Sequence, residues 1–120
     1  MSMFDLPDSV AALKDSEEPI VVVNNEGVIV LMTKAAEELF GMSSEDIVGE
    51  FVEMLVPEKK RWGHQAYRRG YLAEPSDREM DPGLEPEGET AEGELVPIAV
   101  RLEPLRVNGT LYVAAHVKQR

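Results

Sequence analysis

Apolar residues alternate with other residues in the last quarter of the chain, which is the pattern of β-strands with one buried face. The alternating apolar positions are Val96, Ile98, Val100 and Leu102, then Leu111, Val113, Ala115 and Val117. Between the two sets lies Asn108-Gly109, a strong signal for a tight turn between antiparallel strands. This part of the chain is therefore predicted to be a β-hairpin.

A second hairpin is predicted nearer the N-terminus. Residues 20–23 are consecutive β-branched apolar residues, the composition of a central strand that is covered on both faces. Turn-forming residues occupy 24–27, and residues 28–32 form the returning strand. Before this hairpin, Pro7 followed by Val10 and Leu13 predicts a short amphipathic helix. We therefore divide the chain into an N-terminal flanking helix (residues 1–17) and a main domain (residues 18–120).

The middle of the chain carries helix signals instead. Thr33 can cap a helix that ends at Gly41, and Ser43 with Asp46 resembles a capping box that opens another short helix. Pro57 precedes a longer helix predicted over about residues 58–72. Strands at both ends with helices between them predict an α+β domain, in which helices cover one face of an antiparallel sheet.

The composition excludes several classes of function. The 120 residues, 43% of them hydrophobic, suffice for one small core and leave no room for a second, catalytic domain. The chain has no cysteine, which excludes disulfides, thiolate catalysis and cysteinyl adducts of flavins or chromophores. Apolar runs are far shorter than the roughly 18 residues that cross a bilayer, and a signal-peptide pattern is absent, so we expect a cytoplasmic protein.

Charge is strongly negative and locally concentrated. A net charge of −11 argues against direct binding to nucleic acid or to an anionic membrane surface. Between residues 73 and 94 there are nine carboxylates, one arginine and three prolines, which predicts a mobile surface loop. A basic group in the long helix can either dock this acidic segment or remain a solvated face; it comprises Lys59, Lys60, Arg61, Arg68 and Arg69.

Several motifs occur in the order and spacing of a known family. They are Gly27-x-Ile29, Ala35-Ala36-Glu37-x-Leu39-Phe40-Gly41, Ser44-x-Asp46-Ile47-x-Gly49, Leu55-Val56-Pro57, His64 and Glu92-Gly93-x-x-x-Pro97. Over about residues 18–117 the chain resembles PAS domains. The resemblance implies a five-stranded antiparallel sheet and a cavity between sheet and helices that senses a small ligand or serves signalling and dimerisation. The chain departs from the family around Pro86, where a proline among glycines predicts a strand that is short, bulged or at a sheet edge.

The candidate site residues centre on the long helix. His64, Tyr67 and Tyr71 share one face of this helix. We expect that face to pack toward the sheet, because it is the face through which the helix can bury side chains. The segment resembles heme-binding oxygen-sensor PAS domains, in which the matching histidine ligates iron. This implies heme b with His64 as the metal ligand, and Val100 and Leu102 on the gas-binding side. The alternative is a histidine that packs or hydrogen-bonds within the fold. Positions where the oxygen sensors carry arginines are here Gly70, Leu72 and Leu84.

Three functional hypotheses follow. The leading one is a non-enzymatic sensory or regulatory module, the input domain of a histidine kinase, cyclase or transcription regulator. It would bind a small molecule in its cavity or form a homodimer. A homodimer is suggested by Val10 and Leu13, because these apolar side chains of the N-terminal helix must be buried against another surface. The second is a heme-based gas sensor that uses His64. The third is a small enzyme with a carboxylate base and Tyr67 or Tyr71 as proton donor; against it, no carboxylate stands in an evidently apolar setting.

Overall fold

A six-stranded antiparallel sheet forms the centre of the structure, a computed structural model that describes residues 5–80 and 85–120. The strands are β1 (Ile20–Asn24), β2 (Ile29–Met32), β3 (Arg78–Glu79), β4 (Glu87–Glu89), β5 (Leu95–Val107) and β6 (Thr110–Gln119). Their order is β2-β1-β6-β5-β3, and β4 also pairs with β5. The predicted α+β class is confirmed, with six strands where five were expected.

Both predicted hairpins are present and they join in one sheet. At the turn between β5 and β6, Asn108 has φ 51° and Gly109 has φ 81°, the left-handed pair that a two-residue hairpin turn requires. β6 then pairs along its other edge with β1, from Ile20 opposite His116 to Asn24 opposite Tyr112. The hairpins from the two ends of the chain therefore form one continuous wall.

The described parts of the acidic segment, residues 73–80 and 85–94, are more ordered than a mobile loop, while the prediction for residues 81–84 lies outside the described residues. The segment contains β3 and β4, which are two and three residues long and pair with β5, so the prediction of a loop is wrong for these residues. The prediction of a short strand near Pro86 is confirmed. Basic residues dock the acids: Lys60 Nζ lies 3.1 Å from Glu87, and an Arg61 guanidinium nitrogen lies 3.3 Å from Glu89. Ion pairing thus offsets the charge repulsion that predicted mobility.

The other regular elements of the described residues are helices. They are α1 (Asp8–Ala11), α2 (Lys34–Phe40), α3 (Ser44–Ile47) and α4 (Arg61–Ala73), with single 3₁₀ turns at Ala12–Asp15, Val52–Leu55 and Glu58–Lys60. The Thr33 hydroxyl accepts a hydrogen bond from the Ala36 amide and caps α2, which ends at Gly41 in the left-handed conformation. Ser43 caps α3 through the Glu45 amide. The long helix begins at Arg61 rather than at 58, because its first turn is a 3₁₀ turn.

Two apolar clusters pack on opposite faces of the sheet. The inner cluster joins the sheet to α2, α3 and α4, with Met32, Phe40 and Tyr71 among its buried members. The outer cluster joins β1, β2 and β6 to α1, whose Val10 is 0% exposed. Helices thus cover both faces of the sheet, not one. The argument for a homodimer from Val10 and Leu13 is wrong, because both side chains pack on this chain's own sheet. The homodimer itself stays a prediction.

Candidate functional site

A cavity of about 720 Å³ lies between the inner face of the sheet and α4. Its volume is within the range of small-molecule sites, and its wall is mainly apolar, as such sites usually are. Apolar side chains from three strands, β1, β5 and β6, and from several helices contribute, including Val21, Phe40, Leu55, Ile98, Val113 and Val117. The site is therefore built on the sheet rather than on loops.

The structure brings all five sequence-predicted site residues to the wall of this cavity. His64, Tyr67 and Tyr71 line it from α4, and Val100 and Leu102 line it from β5. The spacing of the three α4 residues places them on one face, as the sequence indicated, and β5 presents alternate residues to the same space.

The two tyrosines differ in their hydrogen bonding. Tyr71 is buried, and its hydroxyl donates to the Ser76 carbonyl oxygen. Burial raises the pKa of Tyr71 above its ordinary value of 10.0. The Tyr67 hydroxyl is buried without a hydrogen-bond partner among residues 5–80 and 85–120. The guanidinium carbon of Arg78 lies 5.7 Å from the Tyr67 ring centroid and 5.4 Å from that of Tyr71, in cation–π contact with both.

A buried polar network stands behind His64. Its Nδ1 lies 2.6 Å from Oε2 of Glu53, a carboxylate that is only 5% exposed. Arg68, one turn further along α4, donates from Nε and Nη2 to the two Glu53 oxygens at 3.0 Å each. The Nη1 of Arg68 reaches the Glu26 carbonyl oxygen at 2.9 Å, so the network also ties α4 to the turn between β1 and β2.

This network fixes the orientation of the imidazole. Because a carboxylate oxygen only accepts, Nδ1 carries the proton of the His64–Glu53 hydrogen bond. Glu53 is not among the cavity-lining residues, whereas His64 is, so Nδ1 of His64 is engaged by a partner outside the lining. The His64 side chain is 17% exposed, mostly inside the protein. His64 thus both hydrogen-bonds within the fold and borders the cavity.

Glu53 is the site residue that sequence reasoning missed. From the sequence no carboxylate stands in an evidently apolar setting, whereas the structure buries Glu53 beside His64 and Arg68. The available signal was its position as a lone acid between Phe51, Val52, Met54 and Leu55. Its partners lie 11 and 15 residues away, so only the packing of α4 on the Val52–Leu55 turn reveals the network.

The exposed residues among the cavity's described lining residues come from one short segment. They are Lys59, Lys60, Trp62 and Gly63, which are nearly consecutive at the start of α4. Trp62 is 84% exposed although it lines the cavity. These residues form what we call the mouth, and every other described lining residue is partly or fully buried.

The family model of the PAS fold matches residues 8–114. The chain belongs to the PAS family. PAS domains are sensory input modules of signalling proteins and are generally not catalytic, and the PAS-like fold expected from the sequence is confirmed. This PAS domain has no helix in residues 5–80 and 85–120 that is long and apolar enough to span a membrane. The same residues contain no cluster of three metal-ligating side chains.

Two curated relatives are signalling proteins. The sensor protein FixL of Bradyrhizobium diazoefficiens is 27% identical over 101 residues, which are 84% of this chain and 20% of FixL. A probable serine/threonine-protein kinase of Dictyostelium discoideum is 26% identical over 94 residues, 78% of this chain and 6% of the kinase. The PAS domain thus spans a small part of these relatives' length.

Solved PAS domains share the fold at low sequence identity. The PAS domain of an HTR-like protein from Haloarcula marismortui superposes with a TM-score of 0.73 at 16% identity, covering 93% of this chain and 89% of that one. The PAS domain of nitrogen regulation protein NR(II) from Vibrio parahaemolyticus gives 0.68 at 16% identity, covering 96% and 100%.

Proposed function

We propose that this PAS domain binds a small, mainly apolar molecule in the cavity and passes its occupancy to an output domain or protein. The observation that supports the proposal most directly is the cavity of about 720 Å³ lined by buried apolar side chains. The curated relatives support a signalling role, since this chain covers a fifth or less of each and the remainder is available for output.

The route for the signal follows the sheet. Val113 and Val117 of β6 line the cavity, and alternate residues of the same strand, Tyr112 and Ala114, belong to the outer cluster with α1. A ligand that shifts β6 would therefore change the surface on which α1 packs. We place the output connection on this outer face.

Blocking the cavity tests the proposal. Val100→Phe adds bulk inside the cavity, whereas Ala99→Phe adds the same ring to the exposed side of the same strand. We expect the dye anilinonaphthalenesulfonate to bind to the wild-type protein and Ala99→Phe with bright fluorescence, and to lose at least most of that signal in Val100→Phe. Equal signals in all three proteins, or none in the wild type, would contradict the proposal.

A second candidate, a heme-based gas sensor, is favoured by the His64 geometry. A metal-binding histidine usually donates its other ring N–H to a carboxylate, which fixes the ring and its tautomer, and Glu53 stands in that relation to Nδ1 of His64. The other nitrogen, Nε2, would hold the iron; Lys59, which lines the cavity and forms no ion pair with the described residues, carries the charge that suits a heme carboxylate. Bound heme would supply an iron that takes up a diatomic gas.

Reconstitution with hemin tests this second candidate. We expect a sharp Soret band in the wild-type protein and its loss in His64→Ala. His116→Ala is the matched control, since it removes the other histidine of the chain, which borders no part of the cavity. A broad spectrum of free hemin with the wild type, or a band that survives His64→Ala, would rule out His64-ligated heme and leave the first proposal standing.

A further inference from the structure

The mouth of the cavity differs in charge from its interior. Three basic residues stand there in sequence, Lys59, Lys60 and Arg61, of which the first two line the cavity. Lys60 is neutralised by Glu87 and Arg61 by Glu89. Lys59 is exposed, lines the cavity and forms no ion pair with the described residues, so its ammonium group has no salt-bridge partner among them.

The interior offers no comparable partner for an anion. Arg68 reaches the cavity wall, but both oxygens of Glu53 and the Glu26 carbonyl occupy its guanidinium nitrogens. His64 gives its Nδ1 hydrogen to the same carboxylate. Most other lining side chains are aliphatic or aromatic. An ionised group moved into the interior would lose its hydration and, among the described lining residues there, would find only the unpartnered Tyr67 hydroxyl as a free donor and no free opposite charge, which is unfavourable.

We propose that the ligand is an amphipathic anion of the fatty-acid type. Its hydrocarbon chain fills the apolar cavity and its carboxylate stays at the mouth, beside the Lys59 ammonium group and the Trp62 indole. This inference rests on the proposed function, because it names the ligand class of the same cavity. It accounts for a cavity-lining ammonium group that has no ion-pair partner among the described residues, in a protein whose net charge is −11.

A pair of ligands with the same chain tests the headgroup. Decanoate and decanol, used below their micelle concentrations, share the hydrocarbon and differ in charge. We expect decanoate to bind more tightly by calorimetry, and to change the fluorescence of Trp62, the single tryptophan. Shortening decanoate to nonanoate removes one buried methylene and should weaken binding about three- to fourfold.

Two lysine variants locate the charge. We expect Lys59→Ala to weaken decanoate by roughly two- to fivefold, the size of an exposed ion pair, and to leave decanol unchanged. Lys34→Ala removes the same charge at an exposed site on α2 that does not line the cavity, and should leave both affinities unchanged. Equal losses in the two variants would mean that net charge alone matters and would overturn the inference.

The outcomes separate this inference from the proposed function. If decanol binds as tightly as decanoate and Lys59→Ala has no effect, the anion proposal is wrong while cavity binding stands. If neither ligand binds, the anion proposal is wrong, and the dye experiment decides the proposed function on its own. Val100→Phe should abolish decanoate binding and Ala99→Phe should not; loss in neither would place the ligand outside the cavity and overturn the inference.

Discussion

Among single residues, Glu53 carries the largest expected effect on stability. It is buried and is shared by His64 and Arg68, so Glu53→Ala leaves the Arg68 charge unpaired beneath the surface. We expect the free energy of unfolding to fall by about 3 kcal/mol or more, measured by urea denaturation. Glu50→Ala removes an exposed carboxylate of the neighbouring turn and should cost less than about 0.5 kcal/mol.

The double variant Glu53→Met with Arg68→Met separates buried charge from packing. Because replacing a whole buried ion pair by apolar side chains is often close to neutral, we expect the double variant to recover most of the loss. A Glu53→Ala protein as stable as the wild type would show that the network contributes nothing.

Gly27 tests how closely Arg68 is packed. Gly27 has φ +83°, and a Cβ there would lie 2.5 Å from Arg68 Cδ. Gly93 has nearly the same φ, +82°, with no atom within 4 Å of its Cβ position. Both glycine-to-alanine changes should cost about 1 kcal/mol or more for the strained backbone, and Gly27→Ala should cost more because Arg68 must move. Equal losses in thermal or urea unfolding would contradict the packing argument.

The raised pKa of Tyr71 leads us to expect that the free energy of unfolding falls at alkaline pH. Burial raises its pKa in the folded protein, so the unfolded chain releases the phenolic proton first. Stability from this group is complete below the ordinary pKa of 10.0 and falls as the pH rises from there through the raised folded-state pKa. Urea denaturation at increasing pH checks this; Tyr71→Phe should show a shallower loss, and an unchanged slope would count against it.

The positions of some site residues could be predicted from the sequence, and those of others could not. The helical spacing of His64, Tyr67 and Tyr71 was enough to place them on the cavity wall, because a periodic pattern survives any small error in the ends of the helix. Glu53 was missed because its environment is tertiary: the acid sits in a short apolar turn and acquires its partners only when α4 packs across it.

At the level of elements, α1 covers the outer face of the sheet. Val10 is fully buried there, next to Ile20 and Val22 of β1 and Ala114 of β6. We expect Val10→Ala to lower the free energy of unfolding by about 2 kcal/mol, since it removes buried methyl groups. Its exposed neighbour gives the control, as Ser9→Ala should change stability by less than about 0.5 kcal/mol. A Val10→Ala protein as stable as Ser9→Ala would mean that α1 is not held on the sheet.

The elements that were hardest to predict lie between residues 73 and 94. Composition favours a loop there, since acids and prolines have low strand propensity. β5 is 13 residues long, so its edge can pair with both β3 and β4. Three ion pairs also hold the segment in place: Lys60 with Glu87, Arg61 with Glu89, and Arg101 with Asp77. Neither the length of β5 nor the facing charges can be read from the segment itself.

For the whole molecule, charge balance is the main global property. With 23 acidic and 12 basic residues, repulsion outweighs the exposed ion pairs. Raising NaCl from about 0.01 M to about 0.1 M shortens the screening length from about 30 Å to about 10 Å, so the melting temperature should rise. Choline chloride should act equally if screening is the cause. A melting temperature that falls with both salts would mean that attractive ion pairs dominate.

The arrangement of β6 has a consequence for how the protein is made. β6 is the last strand of the chain and lies between β1 and β5, so the two halves of the wall meet only through it. During synthesis β1 leaves the ribosome long before its neighbour, and its partner residues near His116 arrive some ninety residues later. The nascent chain must therefore wait with an open, β-branched strand edge, and a chaperone that shields such edges would have its greatest effect before β6 has been synthesised.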